Sequence, residues 1–189
     1  LQAQVENKKI HAFLMIDKSL SMKENNSFSF LQNWLNNDFL SSIAKENNSI
    51  SVFLFYGETK KVFQKTIKDE FDLQELQNII RQTKADGSFT DIGLAMDTLK
   101  EAIQNAESDS MPIALIFTDL IQEASYTSKY AGTYYDFAQR YLTDDRVIAL
   151  KPDCFQVTIQ LEKANTIEKR ANTIYTAIKD SIEEPLYRQ

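Results

Sequence analysis

The fold is decided by one stretch, residues 13–22, which reads FLMIDKSLSM. Its first four residues are all apolar, which is typical of a strand that is buried on both faces of a parallel sheet. The stretch then changes to Asp17, Ser19 and Ser21, three oxygen-bearing side chains at alternate positions. Ligands of open α/β sheets bind beyond the carboxyl ends of the strands, and Mg²⁺ and Ca²⁺ prefer oxygen ligands. The stretch therefore predicts a cation site at the carboxyl end of a central strand.

Two distant segments complete this pattern. Residues 89–93, FTDIG, precede a helical pattern, and residues 113–119, IALIFTD, form a second apolar run that ends in Asp119. Two buried strands thus each end in a carboxylate, and the loop between them carries Thr90 and Asp91. Thr90 or Asp91 could cap the following helix, and we interpret Asp91 as a helix N-terminal acid or cap, because acidic side chains stabilise helix N-termini.

The three segments carry a family resemblance. An Asp-x-Ser-x-Ser motif, a Thr after a Gly-containing loop and a Thr-Asp pair after a strand resemble the von Willebrand factor A (vWA) domain, from about Lys9 to Asp119. In that family the three segments form a metal-ion-dependent adhesion site. The resemblance implies metal ligands, direct or through water, at five positions: Asp17, Ser19, Ser21, Thr90 and Asp119.

The match has further support and two departures. Met22 follows the motif as it often does in the family, and Ile92-Gly93 matches the apolar-Gly pair after the Thr. Leu20 and Leu120 stand where the family usually has Gly. Neither change removes a ligand, so they bear on which partner fits rather than on whether a metal binds.

Strands alternate with helices through most of the chain, which predicts βαβ units. We expect an α/β, doubly wound, mostly parallel six-stranded sheet with helices on both faces, the Rossmann-like vWA fold, and one antiparallel edge strand. A flexible segment, residues 1–7, would precede a single domain of residues 8–189. The strands are predicted at residues 8–16, 49–56, 61–67, 111–118, 146–150 and 155–161.

The remaining segments are assigned from apolar periodicity. Helices are predicted at residues 28–44, 72–82, 92–106, 134–142 and 166–182, and polar loops at 17–27 and 120–132. Trp34 lies on the apolar stripe of the first helix and is expected to pack on the sheet.

Composition narrows the function. The net charge is −6 and no Lys/Arg-rich tract occurs, which disfavours nucleic-acid binding. The single cysteine, Cys154, excludes an internal disulfide and is expected to be a buried small side chain. No apolar run approaches the roughly 18 residues of a membrane span. The first residue is Leu1, and we expect an exported protein, periplasmic or on the cell surface, with a cytoplasmic location as the alternative.

Catalytic signals are weak. His11 is the only histidine and lies within the first strand, so neither a His-rich zinc site nor a Ser-His-Asp triad is expected. We expect it to be buried and hydrogen-bonded. Only four glycines occur, and no phosphate-binding Gly-rich loop is present. An aromatic patch after Asp119 is either local packing or a partner-binding surface, and contains Tyr126, Tyr130, Tyr134 and Tyr135.

These observations predict a binding module rather than an enzyme. A divalent metal ion, Mg²⁺ first and Mn²⁺ or Ca²⁺ as alternatives, would coordinate a Glu or Asp carboxylate of a protein partner. One alternative is a Mg²⁺-dependent phosphotransferase or hydrolase of the haloacid dehalogenase type, although Ser19 stands where that family has its second Asp. The other is an intracellular vWA subunit of an AAA-type machine.

Overall fold

The structure is a computed structural model that describes residues 9–107, 109–119, 121–132, 147–151 and 154–160. For the last two ranges the description concerns the backbone. The predicted helices at residues 134–142 and 166–182, the segment 1–7 and the side chain of Cys154 lie outside it.

The central strand is β1, Lys9–Asp17, whose residues are all buried after the first. Strand β2, Ser49–Phe55, pairs with it in parallel and aligns Phe55 with Asp17. Strand β3, Thr59–Thr66, is antiparallel to β2 and has mostly exposed side chains. The connection between β2 and β3 has three residues, which is too short for a parallel crossover. The predicted antiparallel edge strand is therefore confirmed.

Three helices cover one face of the sheet: α1, Ser27–Trp34, α2, Leu40–Ile43, and α3, Glu70–Gln82. These helices bury the alternate β1 residues Ile10, Ala12, Leu14 and Ile16 in one core cluster. Helix α4, Ile92–Gln104, covers Phe13 and Met15 on the opposite face. The predicted α/β fold, with helices on both faces of the sheet, is confirmed.

On the other side of β1 lies β4, Ser110–Thr118, which is parallel to it and aligns Phe117 with Ile16. The described backbone adds β5, Val147–Lys151, and β6, Cys154–Gln160, in the order β3-β2-β1-β4-β6-β5. Strand β6 is parallel to β4, whereas β5 is antiparallel to β6. The backbone thus has a second antiparallel edge strand, β5, besides the predicted one: two residues separate β5 from β6, and a parallel connection needs a dozen or more.

The predicted helix at residues 28–44 is interrupted. Between α1 and α2 the chain makes a π-helical turn, Leu35–Phe39. Apolar residues recur here at a spacing of five, and a π-turn places such residues on one face. The ring of Trp34 stacks on Phe39 at 4.9 Å and meets Phe117 edge-on at 6.1 Å, which confirms its place in the core. Part of the predicted loop 17–27 is a 3-10 helix, Leu20–Asn26.

The other described helices agree closely with prediction. Asp69 caps α3 by accepting hydrogen bonds from the backbone N–H groups of Phe71 and Asp72. Helix α4 buries Ala95, Leu99 and Ile103. Residues 121–132 form no helix or strand, as expected. None of the described helices combines the length and apolarity that crossing a membrane would require.

His11 is buried and hydrogen-bonded, as predicted. Its Nε2 lies 2.8 Å from the Ser51 hydroxyl, and its ring stacks on Phe13 at 4.0 Å. Burial lowers the pKa of His11 to about 4, because the charged form loses its hydration. The imidazole is therefore neutral at physiological pH and has a structural role.

Candidate metal centre

Asp17 is the last residue of β1 and is fully buried. Its Oδ1 accepts a hydrogen bond from the backbone N–H of Ser19 at 2.8 Å, and its Oδ2 accepts one from the Thr118 hydroxyl at 2.7 Å. Burial and the nearby charge of Asp119 raise the pKa of Asp17 to about 7, against the opposing effect of these hydrogen bonds. The hydrogen bonds hold the carboxylate in place, but they do not fully offset the cost of burying its negative charge.

Two hydroxyl groups lie directly after it. The Oγ atoms of Ser19 and Ser21 are 3.1 Å apart. Ser19 is buried, whereas Ser21 is partly exposed. The buried side chain of Met22 anchors the loop, and its N–H donates to the Ser19 carbonyl at 3.1 Å. The sequence Asp-x-Ser-x-Ser thus folds into a compact cluster of oxygens at the carboxyl end of the central strand.

Thr90 reaches the same end of the sheet from the loop before α4. It is buried and exchanges two backbone hydrogen bonds with Glu123, of 2.9 and 2.8 Å. The loop is also fastened to the first one, because the N–H of Gly87 donates to the Lys18 carbonyl and the Leu20 N–H donates to the Gly87 carbonyl, each at 3.0 Å. Two loops distant in sequence therefore form one unit.

Gly87 allows the loop before α4 to pack closely against Tyr56, the residue after β2. A Cβ atom at this position would lie 2.4 Å from the Cβ of Tyr56. The carbonyl of Tyr56 also accepts a hydrogen bond from the Asp91 N–H at 2.7 Å, so the backbone after β2 supports the loop before α4. A side chain at position 87 would push the loop before α4 away from the backbone after β2.

Asp119 follows β4 and is partly exposed. Its Oδ1 accepts a hydrogen bond from the N–H of Ile121 at 3.1 Å. Its charge is close enough to raise the pKa of Asp17. A divalent cation near both carboxylates would favour the ionised form of Asp17.

The structure brings Asp17, Ser19 and Ser21 into direct contact and places Asp119 within electrostatic reach of them. Thr90 lies on the adjoining loop, where its described contacts run through its backbone to Glu123. Within the described ranges, no cluster of three or more His, Cys, Asp or Glu residues is suited to a metal ion. A cation here would consequently depend on hydroxyl oxygens as well as carboxylates, a set suited to Mg²⁺.

Asp91 has a structural role, as the sequence predicted. It is fully buried, and its Oδ1 accepts a hydrogen bond from the Leu94 N–H at 3.0 Å, which caps α4. Its Oδ2 accepts one from the Ser128 hydroxyl. Gln122 completes the contact by accepting a hydrogen bond from the Ile92 N–H at 2.7 Å.

Sequence reasoning missed three supporting residues: Thr118, Gln122 and Ser128. The Thr118 hydroxyl orients Asp17, while the other two residues bind the N-terminus of α4 to the loop after β4. The Thr-Asp pair at the end of β4 was a usable signal for Thr118. Gln122 and Ser128 lie in an irregular segment without periodicity, so no signal indicated them.

The aromatic patch divides into different environments. The Tyr130 hydroxyl donates to Asp97 Oδ2 at 2.7 Å, and Lys129 pairs with the same carboxylate at 2.6 Å. Tyr130 therefore packs locally on α4. Tyr126 is 88% exposed, so it remains a candidate for partner contact. Tyr134 lies outside the described residues.

We expect Gly93→Ala to lower the free energy of unfolding in the wild-type chain. A Cβ at Gly93 would lie 2.6 Å from the ring of Tyr130 and would displace it from α4. In a Tyr130→Ala background the same change should instead raise stability, by up to about 1 kcal/mol, because Ala favours helix over Gly. Urea unfolding of the four chains tests this reversal, and equal effects in both backgrounds would contradict the packing role of Gly93.

Comparison with known proteins identifies the family. The family model described as "von Willebrand factor type A domain" matches residues 12–122, which is more than half of the chain. The chain belongs to the von Willebrand factor type A family. It is also 32% identical over 171 residues to an uncharacterized protein of Treponema pallidum (strain Nichols), covering 89% of this chain and 76% of that protein.

Solved structures support the vWA fold. A von Willebrand factor type A protein from Catenulispora acidiphila has a TM-score of 0.51 at 14% identity, over 59% of this chain and 26% of that one. The pilus adhesin SpaC from Lactobacillus rhamnosus GG has a TM-score of 0.52 at 16% identity, over 64% of this chain and 16% of the adhesin. The chain thus spans about a quarter or less of these two proteins, and the likeness concerns the fold.

Proposed function

We propose that this vWA domain is a metal-dependent, non-catalytic protein-binding module. A divalent cation, Mg²⁺ first, would be held by Asp17, Ser19, Ser21, Thr90 and Asp119 and would coordinate a Glu or Asp carboxylate of a partner. The observation that carries the proposal is the buried Asp17, whose pKa is raised to about 7 beside two serine hydroxyls. We also propose that the sheet has six strands, of which residues 147–151 and 154–160 form the last two.

The ligand chemistry supports a partner carboxylate. Hydroxyl ligands contribute oxygens without charge, so the two aspartates are the only charged groups among the five proposed ligands. Asp17 also shares its oxygens with the Ser19 N–H and the Thr118 hydroxyl. A cation held in this way would keep enough positive charge to attract a further anionic ligand. Adhesion or complex assembly would follow from that last coordination bond.

The phosphotransferase alternative finds no support in the geometry. That chemistry needs an acid/base carboxylate two residues after the nucleophilic aspartate, but this position is Ser19. The Ser19 hydroxyl lies against Ser21, and its N–H donates to Asp17. A serine so placed is suited to coordination and is a poor general acid.

The test uses a minimal carboxylate probe. We expect acetyl-Ser-Ser-Glu-Ser-Ser-amide to shift backbone NMR signals of the candidate site in the presence of Mg²⁺ and not in EDTA. The matched Gln peptide should give no such shifts, because a neutral amide is a poor ligand for a hard cation. Equal shifts with and without Mg²⁺, or with Gln in place of Glu, would contradict the proposal.

A further inference from the structure

Three large apolar side chains are exposed beside the candidate metal centre. Leu20 is 52% exposed, Phe89 is 45% exposed and Ile121 is 55% exposed. Each lies one or two positions from a proposed metal ligand, and each comes from a different one of the three loops. We call these three residues the apolar collar.

The collar belongs to one surface, because its loops are joined by backbone hydrogen bonds. The Leu20 N–H donates to the Gly87 carbonyl at 3.0 Å, which joins the first loop to the segment that carries Phe89. That segment is joined in turn to the loop after β4, because Thr90 and Glu123 exchange two hydrogen bonds. Since Ile121 lies in the third loop, the three side chains come from loops that are joined at one shared end of the sheet.

Phe89 has an unusual backbone conformation. Its φ is +66°, in the left-handed region, which is rare and strained for a bulky residue. Hydrogen bonds on both sides hold it there, from the Gly57 N–H to the Ser88 carbonyl at 3.0 Å and from the Thr90 N–H to the Glu123 carbonyl at 2.9 Å. The loop is therefore held in a strained form in which the phenyl ring stays nearly half exposed.

The exposure is concentrated at this site. Among the described residues, five large hydrophobic side chains are exposed, and three of them form the collar. Clustered exposed apolar groups mark interaction sites, whereas single ones need no explanation. Lys18, which follows Asp17, is paired with Asp86 at 2.6 Å. The collar itself offers three exposed apolar side chains, which are suited to apolar groups of a partner.

We propose that the partner is a protein segment in which a single Glu or Asp protrudes between apolar side chains. This inference rests on the proposed function, because the metal would bind the carboxylate while the collar packs against its neighbours. Apolar contacts around a polar centre exclude water and strengthen the interaction there. The collar would thus select among carboxylates that the metal alone does not distinguish.

The experiment compares two probes that share one carboxylate. In Mg²⁺, acetyl-Ser-Leu-Glu-Leu-Ser-amide should bind roughly tenfold more tightly than acetyl-Ser-Ser-Glu-Ser-Ser-amide by NMR titration, because two leucines bury apolar area on the collar. The Leu-flanked Gln peptide serves as the control for binding without the metal. Its affinity should fall well below that of the Leu-flanked Glu peptide.

Substitutions then locate the preference. Leu20→Ser, Ile121→Ser and Phe89→Asn remove collar side chains, and Asn tolerates the left-handed backbone at position 89. Each should reduce the preference for Leu flanks and leave Mg²⁺-dependent stabilisation unchanged. Phe71→Ser is the matched control, since Phe71 is 77% exposed at the start of α3. Helix α3 follows the end of β3 that pairs with the start of β2, which is the end of the sheet opposite the candidate site. That variant should keep the full preference.

The outcomes separate the two proposals. Equal Mg²⁺-dependent affinity for both Glu peptides would overturn the collar and leave the proposed function standing. A preference for Leu flanks that persists in all three collar variants would also overturn it. If neither Glu peptide binds in a Mg²⁺-dependent way, the proposed function fails and the collar inference fails with it.

Discussion

Asp17→Asn is expected to raise the free energy of unfolding of the metal-free protein at about pH 8 and to abolish its response to Mg²⁺. The side-chain amide of an asparagine can accept a hydrogen bond from the Ser19 N–H and donate one to the Thr118 hydroxyl oxygen, so both local hydrogen bonds can be kept. What disappears is a buried negative charge next to Asp119. Loss of a predicted metal ligand would thus stabilise the metal-free protein, which is unusual for a substitution at a fully buried site.

The sign follows from the titration of Asp17. Its pKa is raised from 3.8 to about 7, so the folded state favours the protonated form. The resulting stability is present below the unfolded pKa and is lost as pH rises through the folded pKa, by up to about 4 kcal/mol. The difference between Asp17→Asn and wild type in EDTA should therefore grow as pH rises from about 4 to about 8.

Urea unfolding of both chains across this pH range measures the difference, and addition of Mg²⁺ should restore stability in wild type alone. Asp109→Asn is a suitable control, because Asp109 is exposed, pairs with Lys9 and lies just before β4, at the opposite end of the sheet. A lower stability of Asp17→Asn in EDTA at about pH 8 would contradict the account, as would a retained response to Mg²⁺.

Asp91→Ala should be strongly destabilising, by about 2–4 kcal/mol. The change removes the cap of α4 and leaves the Leu94 N–H and the Ser128 hydroxyl without their buried acceptor. Asp91→Asn keeps an oxygen that accepts from the Leu94 N–H and gains an amide group that can donate to the Ser128 hydroxyl oxygen. It should therefore lower the free energy of unfolding by about 1 kcal/mol or less.

Thermal unfolding with and without Mg²⁺ distinguishes the cap from a ligand. Because Asp91 is assigned as a cap, Asp91→Asn should respond to Mg²⁺ as the wild-type chain does. An Asp91→Asn protein that folds but shows no response would make Asp91 a metal ligand and would contradict the assignment.

The sequence predicted the elements that carry a regular pattern. The unbroken apolar run before Asp17 indicated a central strand, and its termination in oxygen-bearing residues indicated a site at the carboxyl end. Asp91 was assigned as a cap because it precedes an apolar helical period. These features depend on local chemistry, which a single sequence displays.

Other features depend on contacts between distant loops. The π-turn at Leu35–Phe39 was missed, because spacings of four and five coexist there and the shorter one suggests an ordinary helix. Gln122 and Ser128 act through the N-terminus of α4, which no periodicity reveals. The exposure of Leu20, Phe89 and Ile121 became visible only once the three loops were placed together.

Direct titration of Mn²⁺ into the EDTA-stripped and dialysed protein, followed by the electron paramagnetic resonance signal of the free ion, tests the central claim most directly. We predict one bound ion per wild-type chain, displaced by Mg²⁺, and loss of binding in Asp17→Asn and Asp119→Asn. Thr90→Val should weaken binding, because it removes one hydroxyl and retains a similar shape. Absence of binding to the folded wild-type chain, or binding that persists in both aspartate variants, would contradict the account.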